Sequence, residues 1–193
     1  MNRRVAGTTG RPARKAAALT SALALGLVLS SCTSSDADAR SYTVPDSLCG
    51  TTVDPALLSP FLPSGEKLTT REESPSGGTK RCTLLVDGEQ SVVASRIWWK
   101  QGDGVAQVGS VHAQVGKGEV SDDSRSLFSA TGGVGKTEGC ADPGHPEQNL
   151  FTVIQVFAPG KGDAPAMKRL VPAYTKAVEG SDECRPPQGA AGS

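Results

Sequence analysis

No Asp or Glu precedes Cys32 in this chain. There is no CxxC pair and no Cys/His cluster, which excludes the usual zinc frameworks. There is no Gly-x-Ser-x-Gly elbow of the kind that carries a nucleophilic serine. His112 and His145 are the only 2 histidines, so acid–base or metal chemistry has few carriers. The apolar run Ala16–Leu29 covers fourteen residues, too few for a hydrocarbon core of about 30 Å at about 1.5 Å per residue. The formal charge is balanced at 20 basic and 20 acidic residues, but Arg3, Arg4, Arg11, Arg14 and Lys15 all lie before Cys32. The rest of the chain keeps 15 basic residues against 20 acidic ones, and that acidic excess argues against nucleic acid as a partner. Gly (23) and Pro (13) are plentiful, which predicts many loops, yet apolar periodic segments remain and separate the chain from the disordered class.

What is present at the N-terminus is an address. A cationic stretch, Met1 to Lys15, precedes the apolar run, and Leu29-Ser30-Ser31-Cys32 follows it. An aliphatic residue, two small residues and a cysteine resemble a bacterial lipobox, whose cysteine thiol takes a diacylglyceryl group. The expectation is a lipoprotein signal peptide over 1–31, lipidation of Cys32 and a stable anchor, since two acyl chains hold where one binds marginally. Arg3-Arg4 suggests a twin-arginine signal, but Val5-Ala6-Gly7 departs from that pattern, so the general secretory route is expected. Residues 32–41 are Ser-, Asp- and Ala-rich and predict a flexible tether; 186–193 predict a disordered Pro/Gly/Ala tail.

Cys49, Cys82, Cys140 and Cys184 remain, an even number for an oxidising compartment. Four cysteines allow three pairings. The reading taken is Cys49–Cys82 with Cys140–Cys184, which closes the shortest loops and staples each half of a domain spanning 42–185. Each bridge should contribute about 4 kcal/mol.

Asp54-Pro55 predicts a short helix through Leu62, with Asp54 as its cap and Leu57, Leu58, Phe61 and Leu62 as its apolar face. Asp87-Gly88 predicts a two-residue hairpin turn within Lys80 to Lys100. Counting outward places Val86 opposite Glu89, Leu84 opposite Ser91 and Cys82 opposite Val93. One face then carries Cys82, Leu84, Val86, Val93, Ile97 and Trp99, and is taken as the core face. The other carries Arg81, Thr83, Leu85, Val92, Ala94, Arg96 and Trp98. Gly104 to Gly118 is ambiguous. Leu127–Thr131 and Val134–Glu138 read as extended segments broken by Gly132-Gly133. Asn149–Ala158 is apolar on both faces, the mark of a central strand. Ala164 to Glu179 is an amphipathic helix with Asp163 at its N-cap and Met167, Leu170, Val171, Tyr174 and Val178 on the buried stripe. The fold expected is α+β: an antiparallel sheet, a short N-terminal helix, a C-terminal amphipathic helix and two disulfides.

Three motifs bear on chemistry. Ala130–Thr137 reads ATGGVGKT, a relaxed phosphate-binding loop pattern, but Glu138-Gly139-Cys140-Ala141-Asp142-Pro143 cannot open the helix whose amides would cradle phosphate. A glycine-broken strand or hairpin is expected there, with no nucleotide as partner. Asp142, His145 and Glu147 share one loop and have metal-ligand chemistry; a run of turn-forming residues explains them more simply, and no metal or cofactor is expected. Trp98 shares its predicted face with Arg96 and Arg81. Those three are the candidate contact residues, because Trp and Arg dominate binding hot spots.

The layout resembles small uncharacterised exported lipoproteins of high-GC Gram-positive bacteria. The carrying residues are Leu29-Ser30-Ser31-Cys32, Leu48-Cys49-Gly50 before a short helix, Cys82 in a strand, Cys140 after a Gly-rich strand and Cys184 beyond a terminal helix. The resemblance implies a cell-envelope location and no established activity. The expected function is a membrane-anchored, non-catalytic extracytoplasmic protein that binds an envelope ligand or protein partner. The alternative is an envelope hydrolase with no catalytic residue assigned.

Overall fold

The computed structural model describes residues 40–184. The expected signal peptide, Cys32, most of the expected tether and the expected tail lie outside the described residues. Arg40 and Ser41, the end of the expected tether, are held by the folded body. The Arg40 guanidinium donates to Ser59 O at 2.9 Å, Leu62 O at 2.6 Å and Pro63 O at 3.3 Å. Ser41 N–H donates to Gly65 O at 2.9 Å.

Two short strands, β1 (Ser47–Leu48) and β2 (Thr51–Thr52), pair around Cys49-Gly50, both at positive φ. Helix α1 (Pro55–Leu58) starts as Asp54 accepts from Ala56 N–H at 2.8 Å, and a 3-10 turn over Ser59–Phe61 extends it. Leu58, Phe61 and Leu62 are fully buried, so this turn of chain is held by its apolar side and by Arg40 at its last carbonyls.

The main sheet contains β3 (Leu68–Ser76), β4 (Thr79–Val86), β5 (Glu89–Lys100), β6 (Glu119–Val120), β7 (Ser126–Phe128), β8 (Gly132–Lys136) and β9 (Gln148–Val156), with α2 (Val105–Ser110) between β5 and β6. The order is β3-β4-β5-β9-β8-β7-β6, antiparallel throughout. Helix α3 (Ala164–Glu179) follows, capped by Asp163, which accepts from Ala166 N–H at 2.8 Å. Its predicted stripe is buried on the sheet together with Leu84, Val92, Phe128, Leu150, Ile154 and Val156. On the other face α2 and Val115 cover Ile97, Leu127, Val134, Phe151 and Val153. The α+β fold and both disulfides are those expected. Central β9 is buried on both faces because a helix lies on each side of the sheet.

The β4–β5 hairpin corrects the expected register. Asp87 (φ 52°) and Gly88 (φ 87°) form the turn, and Val86 faces Glu89 as counted. A β-bulge between Leu84 and Leu85 then shifts the pairing to Leu84–Val92 and Cys82–Ala94. The extra residue is Ser91, whose carbonyl accepts the amides of Phe157 at 2.8 Å and Ala158 at 3.3 Å. Since side chains alternate along a strand, one inserted residue swaps every later position of β5 to the other face. Cys82, Leu84 and Val86 therefore share their face with Val92, Ala94, Arg96 and Trp98, not with Val93, Ile97 and Trp99. Of the latter set, Ile97 and Trp99 pack in the cluster under α2.

Two further differences are local. Gly132-Gly133 lies inside β8 rather than breaking two strands; the turn falls before it, where Ser129 N–H donates to Gly132 O at 2.7 Å. Strand β3 was not anticipated at all, because LTTREESPS has almost no apolar residue to bury and sits at the sheet edge.

Candidate functional site

The shifted register brings Trp98 and Arg96 to the wall of a cleft of about 590 Å³. Its walls come from four places. The β3–β4 turn supplies Ser74, Ser76, Gly78, Thr79 and Lys80; β5 supplies Arg96 and Trp98. The loop before β9 supplies Asp142 and His145, and the exit of α3 supplies Asp182 and Glu183. The Cys140–Cys184 bridge joins the last two, because Ala141 follows one cysteine and Glu183 precedes the other. One disulfide thus ties two walls of one cleft.

The His145 ring stacks on Trp98, with centroids 5.2 Å apart and planes 5° from parallel. Asp142 sets the His145 orientation: its Oδ2 lies 2.8 Å from His145 Nδ1, and its Oδ1 accepts the Gly144 N–H at 3.0 Å. The Gly144 amide first, then His145, holds the Asp142 carboxyl below its ordinary pKa. Gly78 makes room for the stack. Its φ is +79°, its carbonyl accepts the Trp98 N–H at 2.8 Å, and a Cβ there would stand 2.8 Å from His145 Nε2 and 3.2 Å from Trp98 Cβ.

On the neighbouring wall Glu183 bridges two cations. It pairs with Lys80 and, at 2.9 Å, with Arg96 Nη1, which also donates to Thr51 Oγ1 at 3.2 Å. The Arg96 side chain is only 12% exposed, so this pair lies in a partly desolvated place. Among the described residues, the buried side-chain nitrogens and oxygens with no hydrogen-bond partner are His112 Nε2 and Arg125 Nε. Trp98 Nε1–H and His145 Nε2 also lack a protein partner, but they are not buried and so stay available to a ligand.

Of the three contact residues expected from sequence, Trp98 and Arg96 line this cleft. Arg81 does not. It pairs with Ser95, so alternation sends its side chain to the opposite face, where its charge acts on His112. Trp99 is half-buried on that face and donates from Nε1 to Asp103 Oδ2 at 2.9 Å. The loop weighed as a metal site contributes Asp142 and His145 to the cleft without Glu147, and no three His, Cys, Asp or Glu side chains of the described residues converge on a metal position. Gly78, Lys80 and Glu183 were missed. The signal that could have found Glu183 is its place beside Cys184, once that cysteine is paired with Cys140.

The GGVGKT string is strand β8. Its residues pair with β7 and β9, and the next element after it is strand β9, not a helix. Its glycines serve packing: side chains of Val171 and Thr175 occupy the space that a Cβ on Gly133 or Gly135 would need. α3 therefore sits closer to the sheet than any side chain would permit.

No protein-family model matches the chain, and neither the curated proteins nor the solved structures contain a detectable match to it.

Proposed function

We propose that this protein is a lipid-anchored, extracytoplasmic, non-catalytic binding protein of the cell envelope, of the high-GC Gram-positive type, which takes a ligand in the Trp98–His145 cleft. The observation that carries the binding role is the stacked pair itself. An indole N–H and an imidazole nitrogen, both without protein partners, stand on the wall of a concavity of ligand size. The export half of the reading is supported by Leu29-Ser30-Ser31-Cys32 behind a cationic and apolar leader, and by two disulfides, which suit an oxidising compartment.

Two experiments test the two halves. Cys32→Ala should leave the precursor unprocessed and move the protein out of the detergent phase; a variant as processed and as membrane-bound as the wild type would refute the anchor. A pull-down from intact cells should recover an envelope component with the wild type and lose it with Trp98→Ala. Equal recovery would refute the cleft as the contact surface.

One observation favours an envelope hydrolase as a second reading. A carboxylate on His145 Nδ1 leaves Nε2 free to take a proton, the arrangement of a general base. Hydrolysis of an envelope substrate that vanishes in His145→Ala with unchanged binding would establish this reading over the first.

A further inference from the structure

We infer that the cleft takes an uncharged, hydroxyl-rich ligand, a neutral saccharide, held between the indole N–H of Trp98 and Nε2 of His145. This deepens the binding role proposed above and rests on it. The argument starts from what the cleft has already neutralised. Lys80 and Arg96 both pair with Glu183. Asp142 is taken by His145 and the Gly144 amide.

An anionic ligand would enter a space walled by the carboxylates of Asp142, Asp182 and Glu183. A cationic one would meet Lys80 and Arg96. An anion would compete with Glu183 for Lys80 and Arg96, and a cation would compete with those two for Glu183; opening the Arg96 pair leaves a poorly solvated charge behind. A neutral ligand leaves every pair intact.

The groups that remain are matched to hydroxyls. Trp98 Nε1 can only donate. In the imidazole tautomer that donates from Nδ1 to Asp142 Oδ2, Nε2 keeps a lone pair and can only accept. The rings that carry these two atoms are stacked and parallel. A donor and an acceptor carried on two stacked rings suit a ligand bearing several groups that each donate and accept. The β3–β4 hairpin repeats the theme with the Ser74, Ser76 and Thr79 hydroxyls, the last two 3.2 Å apart. The half-buried indole supplies apolar surface for the C–H faces of a sugar ring. A peptide amide carries its donor and acceptor on a rigid plane and in lower density, which fits hydroxyl-lined walls less well.

Isothermal calorimetry on the full-length lipidated protein, in a detergent without sugar headgroups, tests this. The probes are a neutral trimer of β-1,4-linked N-acetylglucosamine, a neutral alanine tripeptide with blocked ends, and inorganic phosphate. The trimer should bind saturably, with an affinity unchanged in about 1 M salt, since no ion pair is formed. Trp98→Phe, which keeps the ring and deletes the N–H, should weaken it about tenfold, as should His145→Ala. Saturable binding of phosphate or the tripeptide in place of the trimer would overturn the ligand class while leaving the cleft a binding site. Silence from all three probes would also overturn the class, with the pull-down difference at Trp98 deciding the broader role. Trimer binding indifferent to both variants would place the saccharide elsewhere on the molecule and refute the proposal.

Discussion

The Trp98 and His145 rings lie 5.2 Å apart and 5° from parallel, although they are 47 positions apart in the chain and the β4–β5 bulge must be in place before they meet. Their contact is possible because Gly78 carries no Cβ and Asp142 holds the imidazole by Nδ1.

Trp98→Ala should destabilise the protein by roughly 2–4 kcal/mol, below or at the low end of the about 3–5 kcal/mol typical of a fully buried aromatic, because Trp98 is half-buried. Trp99→Phe should cost about 1 kcal/mol, the loss of the hydrogen bond to Asp103. Urea denaturation of both variants checks this. A Trp99→Phe cost above that of Trp98→Ala would contradict the observed register.

Gly78→Ala should cost about 1–3 kcal/mol, from strain at a positive φ and from a Cβ placed against His145 and Trp98. It should also displace the imidazole. The His145 ring-proton shifts in an NMR spectrum, set by the indole beneath them, should move toward values of an unstacked histidine. Unmoved shifts would mean the stack does not depend on Gly78.

Cys140→Ser combined with Cys184→Ser should remove about 4 kcal/mol, given the sequence separation of 44. The Cys49–Cys82 pair, with a separation of 33, should be worth a similar amount. The distinction lies in local order. Hydrogen exchange should rise at Ala141–His145 and Ser181–Glu183 in the first variant and stay near wild type there in the second. Equal exchange at those segments in both variants would show that the bridge does not brace the cleft.

Burial pushes the His112 pKa below its usual value, and the positive charge of Arg81 adds to the effect. The unfolded chain therefore binds a proton at a higher pH than the folded one does. Stability from this group is complete above about pH 6.5 and is lost as pH falls from there toward the lowered folded value. Chemical denaturation at steps from pH 8 to pH 5 should show this loss, and His112→Asn should flatten it. A His112→Asn profile as steep as the wild type would assign the loss elsewhere.

Much of the fold was legible because local physics is written in local pattern. Asp163 and Pro165 start α3, the stripe Met167, Leu170, Val171, Tyr174 and Val178 names its buried side, and positive φ at Asp87-Gly88 places the hairpin turn. β9 was readable as central because apolar residues occupy both of its faces. The disulfide pairs followed from loop length. β3 escaped because an exposed edge strand buries nothing and so has no period to read.

The candidate site was legible only in pieces. Trp98, Arg96, Asp142 and His145 each drew notice, but nothing in their order joins them. Arg81 was grouped with the first two because a one-residue bulge is invisible to an alternation count, and that single residue inverts the face of everything after it. The sequence by itself determined the start of α1, the β4–β5 turn, central β9, helix α3 and the pairing of the staples, because caps, turns and periodicity act over a few residues. Only the tertiary structure decided which face of β5 meets α3, which loops Cys140–Cys184 brings to one cleft, and that Gly133 and Gly135 let α3 pack close on β8. These depend on register and close approach between segments distant in the chain, and no short-range pattern encodes either.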